Sequence, residues 1–155
     1  MQKETTIRFE NKKDFLDYFV RDLRFNNIQL SDSEANVFAA ILYFINSCNC
    51  FVDNEDRRKY IAKTYKMTPL TISRAFKKLV LQEIIFPLEV ENFSQKEFDY
   101  YQLQKGVKKA YRINSDIIGK GSFNELRKVE QTSKFYFDEK RGFVDEKHSK
   151  FYYGP

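Results

Sequence analysis

Residues 57–80, RRKYIAKTYKMTPLTISRAFKKLV, contain two apolar stripes with helical spacing. The residues of the two stripes are Ile61, Ala62 and Tyr65, followed by Ile72, Ala75, Phe76 and Leu79. Between them, Met67 lies in a turn, the Thr68 hydroxyl can cap a new helix, and Pro69 suits the first helical position, where its missing N–H costs nothing. The stretch therefore predicts two short amphipathic helices joined by a tight turn, which is typical of a helix-turn-helix.

Positive charge is concentrated in the same stretch. Its basic residues are Arg57, Arg58, Lys59, Lys63, Lys66, Arg74, Lys77 and Lys78, and it contains no Asp or Glu. Subtracting these eight charges from the formal net charge of +5 leaves −3 for the rest of the chain. A mildly acidic protein with one basic face is typical of a phosphate-contacting surface, whereas a solvated helix usually mixes its charges.

The second helix has a polar face opposite its apolar stripe. The residues of this recognition helix that we expect to contact DNA are Thr68, Leu70, Thr71, Ser73, Arg74, Lys77 and Lys78. Arg74 suits guanine O6 and N7, and Leu70 suits a thymine methyl, although an isolated surface leucine is equally consistent with the pattern. On the first helix, Arg57, Arg58, Lys59 and Lys63 are expected to contact phosphates.

The flanking segments predict a winged helix. A helix over residues 31–46 is expected from the Ser31 and Glu34 capping box. Residues 51–56 form a connection whose acids, Asp53, Glu55 and Asp56, cap the next helix rather than bind metal. A short strand within residues 81–87 and another at 109–114 would pair antiparallel as the wing, with a further strand or helix in residues 88–107. Lys105, Lys108 and Lys109 are either a DNA-contacting wing tip or a solvated turn.

The two ends of the chain carry weaker patterns. We expect a strand at 6–9 and a helix over 11–25, capped by Asn11, which either mediates a dimer contact or simply covers the core. Ser122 should cap a helix over 123–129, and a hairpin with its turn at 140–142 should follow. Residues 148–155 are expected to fray or to join a dimer interface. Cys48 and Cys50 are interpreted as reduced residues at a helix end.

The residue inventory favours binding over catalysis. A metal-dependent nickase needs two histidines beside its tyrosine, and the chain contains only His148. The GKGS sequence at 119–122 does not match a phosphate-binding loop, because Gly121 separates the lysine from the serine. No signal peptide or long apolar run is found. We therefore predict a cytoplasmic, non-enzymatic protein without cofactor, metal or membrane contact.

The segment after the helix-turn-helix carries a more specific pattern. A tyrosine-containing strand with Tyr111 is followed by Asn114, then by Gly119-Lys120-Gly121-Ser122 and the aromatic Phe123. Together with the preceding helices, this order resembles the RepL family of plasmid replication proteins from Gram-positive bacteria, over residues 30–126. The resemblance implies a winged helix and a role in plasmid replication, with host replication proteins as partners.

The sequence as a whole predicts an α+β fold. Residues 1–29 are an arm and helix, 30–118 a winged helix-turn-helix domain, and 119–155 a β-rich extension. The leading hypothesis is a double-stranded DNA-binding protein, acting as a homodimer, that supports plasmid replication initiation or maintenance. A winged-helix transcriptional regulator is the alternative, and genomic context would distinguish the two. A protein-interaction module without DNA binding is disfavoured by the unopposed basic residues.

Overall fold

The chain combines helices with two antiparallel three-stranded sheets, which confirms the α+β prediction. The computed structural model describes residues 2–7, 12–25, 29–119 and 121–153. Within these ranges no helix has both the length and the apolar character needed to cross a membrane. In chain order the elements are β1 (Gln2–Ile7), α1 (Lys12–Phe25), α2 (Asp32–Phe44), β2 (Cys50–Val52), α3 (Glu55–Tyr65), α4 (Pro69–Leu81), β3 (Ile85–Leu88), α5 (Gln95–Tyr100), β4 (Ala110–Ile113), α6 (Ser115–Ile118), β5 (Leu126–Asp138) and β6 (Gly142–Tyr153).

Helix α2 lies at the centre of the core and begins as predicted. The Ser31 hydroxyl accepts from the Glu34 backbone N–H at 3.2 Å, and the side chains of α2 include several that are fully buried. The helix ends at Phe44, two residues earlier than expected. Asn46 causes the early end, because its side-chain oxygen accepts from the backbone N–H groups of Cys48 and Cys50 at 2.9 and 3.0 Å and stabilises a turn instead of another helical turn.

Helices α3 and α4 form where the apolar stripes predict them. Asn54, rather than the neighbouring acids, caps α3 by accepting from the Arg57 N–H at 2.9 Å. Lys66 then takes a left-handed conformation, with φ 53° and ψ 52°, at a position where glycine would avoid a cost on the order of 1 kcal/mol. The Thr68 hydroxyl accepts from the Thr71 N–H at 3.2 Å, so the predicted cap of α4 is confirmed.

A small sheet with the strand order β2-β4-β3 packs beside these helices. Strands β3 and β4 pair antiparallel, with Ile85 opposite Ile113, as expected. The prediction that residues 51–56 are only a connection is wrong, because β2 pairs antiparallel with β4 and places Phe51 opposite Tyr111. Three residues are too few to show the alternating apolar and polar pattern of a strand. The strand forms because it pairs with the edge of β4.

The segment between β3 and β4 was expected to contain a strand or a helix, and it contains a helix. Helix α5 has a complete capping box between Ser94 and Glu97, and its Phe98 is buried in a small second core with Val90 and Leu103. No tight hairpin joins the two strands. Gly106, with φ 99°, lies in a turn after α5, so the basic residues around it belong to a longer connection than a two-residue wing tip.

The second sheet, with the order β1-β5-β6, joins the two ends of the chain. The predicted N-terminal strand is confirmed but lies at Gln2–Ile7; the expected continuation at 8–9 is outside the described residues, as is the Asn11 cap. The predicted helix over 123–129 is wrong beyond a short 3₁₀ turn at Phe123–Glu125, because β5 begins at Leu126. Fraying of residues 148–153 is also wrong, since β6 continues to Tyr153.

Helix α1 covers the core. Leu16 and Phe19 are buried, and the Phe19 ring meets Phe123 edge-on at a centroid distance of 5.6 Å. Phe15 packs on the same ring at 5.5 Å. These contacts use the apolar stripe within one molecule, which supports the core-covering alternative over a dimer contact through this stripe.

Cys48 and Cys50 are free thiols, as predicted, but they lie in a turn and in β2 rather than at a helix end. Cys50 is 1% exposed, and its burial raises the thiol pKa from 9.0 to about 12. Iodoacetamide should therefore label Cys48 and spare Cys50 in the folded protein, because only the thiolate reacts. The contribution of the neutral Cys50 thiol to stability should fall as the pH rises from 9 towards 12.

The measurement is the intact mass after alkylation at about pH 8, near the ordinary range for thiol reactivity. One adduct is expected in buffer and two in urea. Two adducts in buffer, formed at equal rates, would show that Cys50 is accessible in the folded state.

Candidate nucleic-acid interface

Helix α4 separates a buried face from an exposed one. Ile72, Ala75, Phe76 and Leu79 are buried against the core, where α4 packs on α2. The buried stripe occupies one side of the helix, so the residues opposite to it are left in solvent.

Thr68 is exposed just before α4, and four other predicted recognition-helix residues are exposed on α4 itself. These are Leu70, Arg74, Lys77 and Lys78, with Leu70 59% exposed. Thr68 and Thr71 have a local role, because their hydroxyls lie 2.8 Å apart and Thr68 caps the helix. Ser73 is half-buried and accepts a hydrogen bond from Arg58 Nη1 at 2.9 Å. The structure thus brings Leu70, Arg74, Lys77 and Lys78 to one accessible helix surface.

Arg57 and Arg58, the two arginines at the start of the basic stretch, make contacts within the protein. Arg57 Nη1 donates to the Val52 carbonyl at 2.8 Å, and its guanidinium lies 5.2 Å from the centre of the Phe44 ring. Burial lowers the pKa of Arg57. This residue has an internal partner and a desolvated side chain, so the geometry does not favour the predicted phosphate contact.

Arg58 on α3 contacts both a buried aspartate, Asp53, and helix α4. Its Nε and Nη2 atoms donate to the two carboxylate oxygens of Asp53 at 2.9 and 2.8 Å, and the Asp53 side chain is only 3% exposed. The guanidinium also lies 4.6 Å from the centre of the Phe76 ring on α4. The hydrogen bond to Asp53 raises the Arg58 pKa despite partial burial. Arg58 therefore holds α3 against α4 and does not present a free charge to phosphate.

The remaining cations of this region are accessible. Lys59 is exposed and pairs with Glu55 at 3.1 Å, a contact that solvent screens. Lys63, Lys66, Arg74, Lys77 and Lys78 are exposed and make no ion pair within the described part of the chain.

The three lysines predicted to lie in the wing differ in their internal contacts. Lys105 and Lys108 are exposed in the connection before β4. Lys109 already has internal contacts. Its Nζ lies 3.7 Å from Asp53 Oδ2, and its carbonyl accepts from the Asp53 N–H at 2.9 Å. Only Lys105 and Lys108 are therefore free to meet another molecule without disturbing an internal contact.

Asp53 is the residue that sequence reasoning misassigned. It was expected to cap α3, but it neutralises Arg58 and part of the Lys109 charge. The available signal was its position just before Asn54, because Asn caps a helix as well as Asp does and one cap leaves the neighbouring aspartate for another role.

The residues that carry the family resemblance build the core and its turns. Tyr111 packs against Phe76 at 5.4 Å, and Asn114 caps the one-turn helix α6 by accepting from the Asp116 N–H at 2.9 Å. Asn49 donates to the Gly121 carbonyl and accepts from the Phe123 N–H, at 2.9 and 2.8 Å. The buried Ser122 hydroxyl has no hydrogen-bond partner among the described residues, so it is not the predicted helix cap. Lys120 lies outside the described residues.

Comparison of the chain with protein-family models, curated proteins and solved structures gives no match. The resemblance to the RepL family stays a prediction.

Proposed function

We propose that this chain is a winged helix-turn-helix protein that binds duplex DNA in the cytoplasm. The element order supports the proposal: α2, β2, α3, a tight turn, α4, and then β3 and β4, with β2 and β3 flanking β4 in one sheet. This is the arrangement by which winged helices place a second helix beside a β-wing. A helix of this kind fits the major groove, where base edges can be distinguished.

The proposal depends mainly on the surface formed by the exposed face of α4 and the end of α3. Five cations there have no anionic partner among the described residues: Lys63, Lys66, Arg74, Lys77 and Lys78. These exposed cations give the surface a positive potential that no nearby acid offsets, and such a surface favours binding of phosphate groups.

Within this proposal the residues have separate tasks. Arg74 reads a base, Leu70 contacts a thymine methyl, and Lys77 and Lys78 contact the edge of the groove. Lys108 contacts phosphate from the connection between β3 and β4, with Lys105 beside it. Arg57 and Arg58 support the helices from inside.

The biological role rests on the resemblance to the RepL family. We infer that the protein supports plasmid replication initiation or maintenance by marking duplex DNA and recruiting host replication proteins. A homodimer is part of the proposal, because one recognition helix reads only a few base pairs and symmetrical half-sites extend the sequence read. The apolar stripe of α1 is occupied by the core, so the contact has to lie elsewhere.

Salt dependence tests the DNA-binding proposal. With about five phosphate contacts, duplex affinity should fall by at least about a hundredfold between about 50 and 200 mM salt. The measurement is fluorescence anisotropy of a labelled duplex across this range. The pair of substitutions Lys77→Gln and Lys78→Gln should reduce the slope of log affinity against log salt by about two.

The matched control replaces two exposed lysines outside this surface, Lys96→Gln and Lys140→Gln. It removes the same charge from the whole molecule and should leave the slope nearly unchanged. Equal slopes for the two double variants, or no duplex binding at low salt, would contradict the proposal.

A further inference from the structure

Strand β6 lies at the edge of the second sheet. It pairs with β5 along one side, and no strand of the described chain pairs with its other side. With twelve residues it is the longest outer strand of the two described sheets. The backbone N–H and C=O groups along such an edge can pair with a strand of another chain.

The other outer strands suit such pairing less well. Strand β2 has three residues, and β3 has four, including Pro87, which has no N–H to donate. Strand β1 has six residues, half the length of β6. Short strands and proline are common ways in which proteins protect a sheet edge, so β6 is the edge best suited to a partner strand.

The order of charges along β6 favours a second copy in the antiparallel direction. Asp145 and Glu146 come first, and Lys147 and Lys150 follow them. Parallel, in-register pairing of two copies would place like charges opposite each other, which is destabilising. Antiparallel pairing brings the acidic part of one strand against the basic part of the other.

Symmetry restricts the antiparallel register. A two-fold axis between identical antiparallel strands requires one residue to lie opposite its own copy, because side chains alternate between the faces of the sheet. A charged residue at that position would oppose itself, Ser149 would leave both acids opposite tyrosines, and positions nearer either end would shorten the pairing. With His148 on the axis, Glu146 lies opposite Lys150 of the partner subunit, and the symmetry repeats this contact.

This register also continues the charge pattern of each hairpin. Within one chain, Glu146 is opposite Lys134 of β5, and Lys150 is opposite Glu130. Joining two copies would give a row across four strands in which lysine and glutamate alternate. Because opposite charges on neighbouring strands are favourable, the contact between copies would extend the internal pairs rather than replace them.

Exposed aromatic rings lie where β6 begins. Phe143 is 74% exposed, and its ring lies 5.4 Å from that of Phe137 on β5, which is 63% exposed. With His148 on the axis, Tyr153 of the partner subunit is the residue opposite Phe143. Pairing of the two copies would therefore cover part of this apolar surface, and aromatic cross-strand pairs are among the favourable ones.

We propose that two copies of this chain associate by antiparallel pairing of their β6 strands, centred on His148, which joins two three-stranded sheets into one. The proposal rests on the homodimer in the proposed function and names its interface. Its test contains no DNA, so failure of β6 pairing and failure of DNA binding are distinguishable.

Charge reversal at the paired positions tests the register. Glu146→Lys places lysine opposite lysine at both symmetric contacts, and Lys150→Glu places glutamate opposite glutamate. Each change should weaken the dimer of the full-length protein at least about tenfold in sedimentation equilibrium. An equal mixture of the two variants should dimerise again at a concentration where each alone is monomeric, since every contact between the two chains then joins a lysine to a glutamate.

Recovery on mixing separates the interface from an effect within one chain. Each reversal also places like charges opposite each other inside its own hairpin, at Lys134 or at Glu130. Mixing cannot relieve that internal repulsion, so a purely intramolecular role predicts no recovery. Circular dichroism checks that each variant is folded. If a reversal variant does not fold, Glu146→Gln and Lys150→Gln replace the pair, and each should weaken the dimer about threefold.

The matched controls are Asp145→Lys and Lys147→Glu, which make the same charge changes at neighbouring positions. In the proposed register these positions lie opposite Phe151 and Ser149 of the partner subunit, so both variants should dimerise as the unmodified protein does. Monomeric unmodified protein, equal losses in the controls, or no recovery on mixing would overturn the proposal. A dimer that none of the variants changes would overturn the β6 interface and leave the homodimer itself standing.

Discussion

Replacement of Arg74 by alanine should weaken binding to the preferred duplex by roughly 1–3 kcal/mol and relax the choice of base at one position. Arg74 is exposed on α4, opposite the buried stripe, and has no ion-pair partner within the described residues. Its guanidinium can donate two parallel hydrogen bonds to guanine O6 and N7, a geometry that other bases do not offer. Because the side chain supports no internal contact, the folded state should remain intact.

Lys108→Ala is the matched comparison. Lys108 is equally exposed but lies in the connection before β4, where a phosphate contact is expected. Its loss should weaken cognate and scrambled duplexes alike and lower the salt slope by about one unit. Competitive binding with both duplexes at two salt concentrations measures the difference. If Arg74→Ala weakened both duplexes equally and Lys108→Ala changed base preference, the assignment of α4 as the reading element would be reversed.

The parts of the fold that were predictable depend on local contacts. The starts of α2 and α4 follow from Ser31 and Thr68, whose hydroxyls satisfy N–H groups only three residues away. The helix stripes need no information from the rest of the chain, since residues at i, i+3 and i+4 share a face whatever they pack against. Even the left-handed Lys66 lies where the spacing of the two helices requires a sharp turn.

The parts that were missed depend on distant partners. Strand β2 has three residues and is stabilised by β4, roughly sixty positions later in the chain. The second strand of the C-terminal hairpin was expected to be short, with fraying or a dimer contact from residue 148, but β6 pairs with β5 as far as Tyr153. Strand propensity reflects the neighbours more than the residue itself, so these segments carry little local signal.

The candidate interface was partly predictable for a related reason. Counting the charges of residues 57–80 treats all eight cations as one surface. Four of the residues predicted to contact DNA, Leu70, Arg74, Lys77 and Lys78, do lie on the exposed face of α4. The count excluded Asp53, which lies four positions before the stretch and directly contacts Arg58 in space. Charge composition therefore located the basic surface but could not separate its structural arginines from its free lysines.

Arg58→Leu should destabilise the protein by roughly 3 kcal/mol, because it leaves the Asp53 carboxylate buried without its main partner. The Asp53 side chain is 3% exposed and, within the part of the chain that the structure describes, keeps one cation, Lys109, whose Nζ is 3.7 Å away. The Arg58 side chain is 27% exposed, which is why we expect the lower end of the range typical of broken buried ion pairs. Urea unfolding followed by circular dichroism measures the free energy of unfolding.

The matched control is Lys59→Ala, which removes the neighbouring charge on the same helix. Its partner Glu55 is exposed, so the loss should be below about 1 kcal/mol. Adding Asp53→Leu to Arg58→Leu should recover most of the lost stability, since the unpaired charge is then gone and apolar side chains fill similar space. A loss in Arg58→Leu no larger than that in Lys59→Ala would mean that the ion pair does not hold α3 against α4. No recovery in the double variant would mean that Arg58 acts through its contacts with Ser73 and Phe76 rather than through Asp53.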